Sequence, residues 1–139
     1  MNQSIGYLLW DVTRLMRQQF QNDPRLSCIT LSQAKALTQI YYHEGIKQVE
    51  LAEMLEIKPM TLVRVIDSLV EEELIERRPD PNDRRAHRIY LQPKAEEQLK
   101  LVRLISQDVW SSALAGLPDE DIEQFIRTLK HIHHNVSHT

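Results

Sequence analysis

The chain has 139 residues, 42% hydrophobic and 27% charged, the proportions of one folded domain rather than of a disordered tract. A net charge of −3 excludes a global basic field, so any charge directed at DNA must be local. One cysteine, Cys28, excludes an intramolecular disulfide and suits a reducing compartment, so a cytoplasmic location is expected. The opening Met1-Asn2-Gln3-Ser4 has no basic segment, and the apolar stretch after it is broken by Asp11 and Arg14. Neither a signal peptide nor a membrane span is expected.

In chain order, Ile5, Leu8, Leu9, Val12, Leu15, Met16 and Phe20 recur at steps of three and four, which predicts a first helix. Thr30 is a plausible N-cap for a second, running through Ala34, Leu37, Ile40 and Tyr41 to Gly45. A short third helix is predicted over 48–55 and a fourth over 59–72, with Pro59 at the first helical position. Residues 75–78 and 88–91 read as short strands flanking a polar loop, 79–85. Two amphipathic helices close the chain. One carries Ala95, Leu99, Val102, Ile105 and Val109; the other carries Ile122, Phe125, Ile126, Leu129, Ile132 and Val136. Pro93 and Pro118 are expected at their first positions. Only three glycines occur, too few for the tight turns of an all-β fold.

The expected fold is therefore mainly α with a small β-hairpin wing. A winged helix-turn-helix spans 31–92, and the terminal segments 1–30 and 93–139 form a dimerisation unit. Two apolar stripes would otherwise need a larger core than the middle segment offers, so a homodimer is expected.

The middle segment carries the chemistry. A short helix, a tight turn and a longer helix make a helix-turn-helix. In the longer helix Leu62, Ile66, Leu69 and Val70 form the buried face, and Thr61, Arg64, Val65 and Ser68 the opposite one. Such a face has the dimensions of a major groove, where an arginine can bond guanine O6 and N7 together and Thr or Val can touch a thymine methyl. From Arg77 to Arg88 there are five arginines and two aspartates, a local charge of +3, with His87 beside them. An arginine on a loop tip suits a narrow minor groove, and Asp83 could hold the Arg85 guanidinium in a fixed fork. Singly, an exposed arginine or an Arg-rich loop is ordinary solvated surface. Their joint order is what points to DNA.

The stretch Asp83-Arg84-Arg85-Ala86-His87-Arg88-Ile89-Tyr90-Leu91 resembles the wing signature of the MarR family of transcription regulators, aspartate-x-arginine, five residues, then leucine-threonine. Leu62-Val63-Arg64, Asp67 and Leu69 are similar to the recognition helix of the SlyA-like branch. The resemblance implies a homodimer on pseudo-palindromic double-stranded DNA. It implies that Arg64 reads a base, that Thr61 faces the groove, and that Arg85, oriented by Asp83, enters the minor groove. Lys58, Val65, Ser68, Arg77, Arg84 and Arg88 complete the expected DNA-binding set. Departures from the pattern are Gln92 for the signature threonine, Lys58 for a frequent serine cap, and Glu56 and Glu73 for glycines. At positive φ each glutamate would cost roughly 1 kcal/mol.

The resemblance also implies a small aromatic or anionic effector between the dimer helices and the winged domain, where Trp10, Arg14, Arg17, Tyr41 and His43 are the candidate lining. Cys28 is expected to be a buried or half-buried thiol rather than a peroxide sensor. His131 and His134 share a helix face, but histidines near a helix C-terminus usually answer its dipole, so no metal is expected. No nucleophile with its base, no phosphate loop and no paired carboxylate stands out; neither an enzyme nor a cofactor is expected. The function expected is a dimeric, ligand-responsive repressor or anti-silencer. The alternative is a winged helix serving only protein–protein contacts.

Overall fold

The computed structural model describes residues 4–26 and 28–138. The opening Met1-Asn2-Gln3, and Ser27 and Thr139 within the expected terminal segments, lie outside the described residues. In order the elements are α1 (Ile5–Gln21), α2 (Leu31–Tyr42), β1 (Ile46–Lys47), α3 (Gln48–Leu55), α4 (Pro59–Glu71), β2 (Ile75–Asp80), β3 (Asp83–Leu91), α5 (Ala95–Ala113) and α6 (Asp119–Ser137). Among the described residues there are six helices and a three-stranded antiparallel sheet of order β1-β3-β2 packed on α2, α3 and α4, the mainly α winged-helix architecture expected. No helix among the described residues is long and apolar enough to cross a membrane.

Local chemistry explains the helix starts. Ser4 caps α1 by accepting the Tyr7 N–H at 3.1 Å. Thr30 and Gln33 make a reciprocal capping box at α2. Pro59 stands at the first position of α4, where its missing N–H costs nothing. Pro93 and Pro118 do not: α5 starts two residues after Pro93, and Pro118 is itself the N-cap of α6. The second helix stops at Tyr42 rather than Gly45, with His43 as its C-cap. Gly45, at φ +86°, then turns the chain into β1, a strand absent from the sequence reading because two residues carry no periodicity.

The hairpin is longer than predicted. Pairing runs from Ile75 opposite Leu91 to Asp80 opposite Asp83, so most of the expected loop is strand and only Pro81 and Asn82 make the turn. A polar, arginine-rich sequence hid these strands because the wing is solvated along most of its length.

The core runs from Phe20 and Ile29 through Ala34, Ala36, Leu37 and Ile40 of α2 to Leu62, Ile66 and Leu69 of α4, Ile75 and Ile89 of the sheet, and Leu99, Val102 and Ile105 of α5. Each fully buried Leu or Ile contributes on the order of 1.5–3 kcal/mol relative to exposure. Val70 packs against this core half-buried. α1 lies on α5, whereas α6 buries none of its described residues.

Two helix ends are strained. Glu56 (φ 54°) and Glu73 (φ 62°) occupy the left-handed region that glycine prefers. Glu73→Gly and Glu56→Gly are each expected to raise stability by roughly 0.5–1 kcal/mol, the strain relieved exceeding the added unfolded-chain entropy. A urea midpoint that rises at unchanged slope checks this.

Candidate nucleic-acid interface

α3, the turn 56–58 and α4 put the N-terminal half of α4 on the surface. Lys58, Met60, Thr61 and Arg64 are exposed there, while Leu62, Ile66 and Leu69 point into the core. Lys58 is the N-cap of α4, makes no side-chain capping hydrogen bond and is exposed at that helix end. Met60 is 75% exposed, an apolar side chain on the reading surface that the polarity-based sequence reading passed over.

Two positions expected on that surface are turned away. Ser68 is half-buried: its Oγ donates to the Val65 carbonyl at 2.7 Å and accepts from Gln33 Nε2 at 3.0 Å. Val65 is packed against the core. The exposed arc of α4 is narrower than a simple two-faced helix suggests, because α2 covers its flank.

The wing arginines divide in the same way. Arg77 donates from Nε to Gln48 Oε1 at 3.0 Å and from Nη2 to Asp67, tying β2 to α3 and α4. Arg78 pairs with Glu76 and lies 3.9 Å above the Tyr90 ring. Arg88 donates from Nε to Asp80 Oδ2 at 3.0 Å and from Nη1 to the Gly45 carbonyl at 2.9 Å. Arg77 and Arg88, expected to meet DNA, thus hold the wing to the body instead. Arg84 and Arg85 are exposed and make no side-chain ion pair among the described residues. Asp83 accepts the backbone N–H of Arg85 at 3.0 Å rather than its guanidinium, so it shapes the backbone and not the fork.

The buried anchor of this arrangement is Asp80, 4% exposed. Its carboxylate accepts the Asn82 N–H at 2.8 Å, then Arg88, with the Lys47 ammonium at 3.9 Å. The Asn82 N–H first, and then the two cations, outweigh desolvation and hold its pKa below the ordinary value of 3.8. Sequence reasoning counted Asp80 only as lost charge. The signal present was Asp80-Pro81-Asn82, the pattern of a side-chain-capped turn.

The wing and helix-turn-helix flank one cleft of about 310 Å³, with Arg85 and His87 on one wall and Pro59, Leu62 and Val63 on the other. A second, apolar cavity of about 360 Å³ lies between α1, α2, α5 and α6, lined by Leu9, Met16, Phe20, Val102, Trp110 and Phe125 among others, with Arg17 and Lys35 in its wall. Of the five expected effector residues only Arg17 lines it. Arg14 is paired with Asp11 and lies 5.8 Å from the Trp10 ring centroid. Tyr41 borders a smaller adjoining recess that shares Thr38, Val102 and Ser106 with the cavity, and exposed His43 caps α2. Five residues chosen for chemistry alone had no common face to share.

Cys28 is exposed, not buried, because it sits in the linker before α2 rather than on a packed face. His131, His133, His134 and His138 are exposed on α6 and at its C-cap, and the described residues hold no group of three or more metal-ligating side chains.

Residues 29–87 match the family model described as MarR family. Residues 29–87 carry a MarR-family domain. The match covers α2, the helix-turn-helix and most of the wing, while the fold likeness extends to nearly the whole chain. Wild-type apo MarR from E. coli superposes with a TM-score of 0.83 at 25% identity, over 95% of this chain and 98% of that one. A mutant E. coli MarR complexed with operator DNA gives 0.73 at 26% identity, over 92% of each. The transcriptional regulator SlyA gives 0.78 at 24% identity, over 97% of this chain and 95% of that one, a likeness of fold.

Asp80→Asn is expected to lower the melting temperature at pH 7 and to loosen the wing. Because folding depresses the Asp80 pKa, its stabilisation is present above the unfolded value and lost as pH falls through the folded one. The difference between wild type and variant should therefore shrink below about pH 4. Thermal melts at several pH values test the sign.

Proposed function

We propose that this MarR-family chain is a homodimeric transcription regulator, a repressor or anti-silencer, reading a pseudo-palindromic DNA site. α4 would enter the major groove and the wing tip the adjacent minor groove. One observation carries this reading. Four exposed cations that make no ion pair among the described residues, Lys58, Arg64, Arg84 and Arg85, stand on the N-terminal half of α4 and the wing tip, elements that border one cleft. A chain of net charge −3 thus presents a local group of bare cations where the fold projects. A relative 26% identical has been solved complexed with operator DNA, which supports DNA as the partner. A winged helix devoted to protein contacts has no need of bare guanidinium groups there.

The segments 1–30 and 93–139 form the dimerisation unit in this reading, and 31–92 the DNA-binding unit. What supports the assignment is α6. Phe125, Ile126, Ile132 and Val136 are 43–67% exposed on a helix with no buried residue, and Ile5, Leu8 and Leu9 of α1 are similarly bare. A stripe of this length is covered in solution by an equivalent one. The apolar cavity between α1, α2, α5 and α6, with Arg17 and Lys35 in its wall, suits an aromatic or aliphatic anion as effector.

Sedimentation at micromolar concentration is expected to show a dimer, and a monomer would sink the assignment. Arg64→Ala should cost about 1–3 kcal/mol per half-site and relax preference at one base position. Arg85→Ala should weaken all sequences more evenly and lower the salt slope by roughly one unit per subunit. Affinities at several salt concentrations, on a selected site and a mismatched one, separate the two. Equal loss of specificity from both would reverse the groove assignment.

A further inference from the structure

The contact between α2 and α4 contains one buried polar side chain that apolar packing does not require. Gln33 is only 8% exposed. Its Oε1 accepts the Thr30 N–H at 3.0 Å, and a backbone N–H can only donate, so the amide has one orientation. That orientation turns Nε2 toward Ser68 Oγ, 3.0 Å away. Ser68 in turn donates to the Val65 carbonyl at 2.7 Å, which leaves its oxygen as an acceptor for Gln33. Thr30 Oγ1 takes the Gln33 N–H at 3.1 Å. The direction of each of these four hydrogen bonds from Thr30 to Val65 is thereby determined, the condition under which a buried polar network specifies one geometry.

We propose that Gln33 is a positioning residue for the recognition helix: through Ser68 it fixes the roll of α4 about its axis and so the direction of Arg64. The inference rests on the DNA-reading role proposed above. Ser68 stands one turn after Arg64, at the i+4 spacing that stacks two side chains on one flank of a helix. Leu62, Ile66 and Leu69 hold α4 down, but burial is non-directional and allows small rotations. A bidentate base contact allows only about 0.5 Å and 10–20° of error. A hydrogen bond from a side chain locked in a capping box supplies the missing angular restraint. Leu31, Ala34, Lys35 and Thr38 of the same helix line the apolar cavity, so this bond also joins the cavity wall to the reading helix.

The test uses the full chain, a duplex bearing a site selected from random DNA, and an unrelated duplex of equal length. Gln33→Met keeps the side-chain length and loses the amide; Ser68→Ala leaves the Thr30–Gln33 capping box intact. Each is expected to lose about three- to tenfold in affinity for the selected site with the unrelated duplex unchanged. The double variant should lose no more than the worse single one, since both remove the same bond. Melting temperatures identify a variant weakened only in fold, which would lose affinity for both duplexes alike. That result, or selected-site affinity unchanged in Ser68→Ala, overturns the inference. A wild-type chain that does not distinguish the two duplexes overturns the DNA-reading role and this inference with it.

Discussion

The fold hangs on the burial of α2. Ala34, Ala36, Leu37 and Ile40 are buried, and α3, α4, β3 and α5 all pack against this one helix. Two of the four are alanines, which let neighbouring backbones approach closely; larger side chains there would push α4 and α5 apart. The recognition helix is therefore located by α2 rather than by the turn that connects it to α3. The same helix borders the apolar cavity, so one element touches both the helix-turn-helix and the terminal helix α5.

Charge is arranged on a second principle. Five arginines crowd the wing, yet Arg77, Arg78 and Arg88 are consumed by Asp67, Glu76 and Asp80. A hairpin this polar has too little apolar surface to hold itself to the body, and only Ile75 and Ile89 of its strands are buried hydrophobic anchors. Ion pairs substitute for the missing core. Asp80 does so from a buried position, joining β2, β3 and the Gly45 turn through Arg88, a geometry in which removal of either partner leaves a polar group unsatisfied. The wing can then expose Arg84 and Arg85 at its tip without collapsing onto the protein.

This division explains which parts were legible in the sequence. Helices with long apolar periodicities, α1, α5 and α6, were readable because an apolar face, whether buried in this chain as on α5 or left exposed as on α6, writes a 3.6-residue pattern. So was the helix-turn-helix, with Pro59 at its N1 position. The two-residue β1 was not, since no pattern fits in so short a span, and the hairpin was read short because its strands are solvated. At the site, Arg64, Thr61 and Lys58 stood on the surface as read. Ser68 did not, because a helical wheel divides a helix into two faces while α4 touches neighbours on more than two sides. Arg77 and Arg88 were misread for a related reason: composition counts a charge but cannot say which partner the fold brings to it. Gln33 and Asp80 were invisible in their roles, since each acts through a residue distant in sequence or across a turn.

The terminal helices raise a further physical point. The apolar cavity is walled by α1, α2, α5 and α6, and exposed apolar residues of α1 and α6, Leu9, Val12 and Phe125, lie in that wall. In the proposed dimer, packing α6 against a second copy would fix the position of Phe125 and Leu129, which lie in the cavity wall. A ligand filling that cavity and a partner covering those helices therefore act on the same side chains. Any coupling between their binding free energies is reciprocal by linkage: whatever the dimer does to ligand affinity, the ligand does to dimer affinity. The sign depends on whether the dimeric arrangement opens or closes the cavity. Either way, the connection to α4 runs through α2, whose buried face leaves it little freedom to move without taking the recognition helix with it.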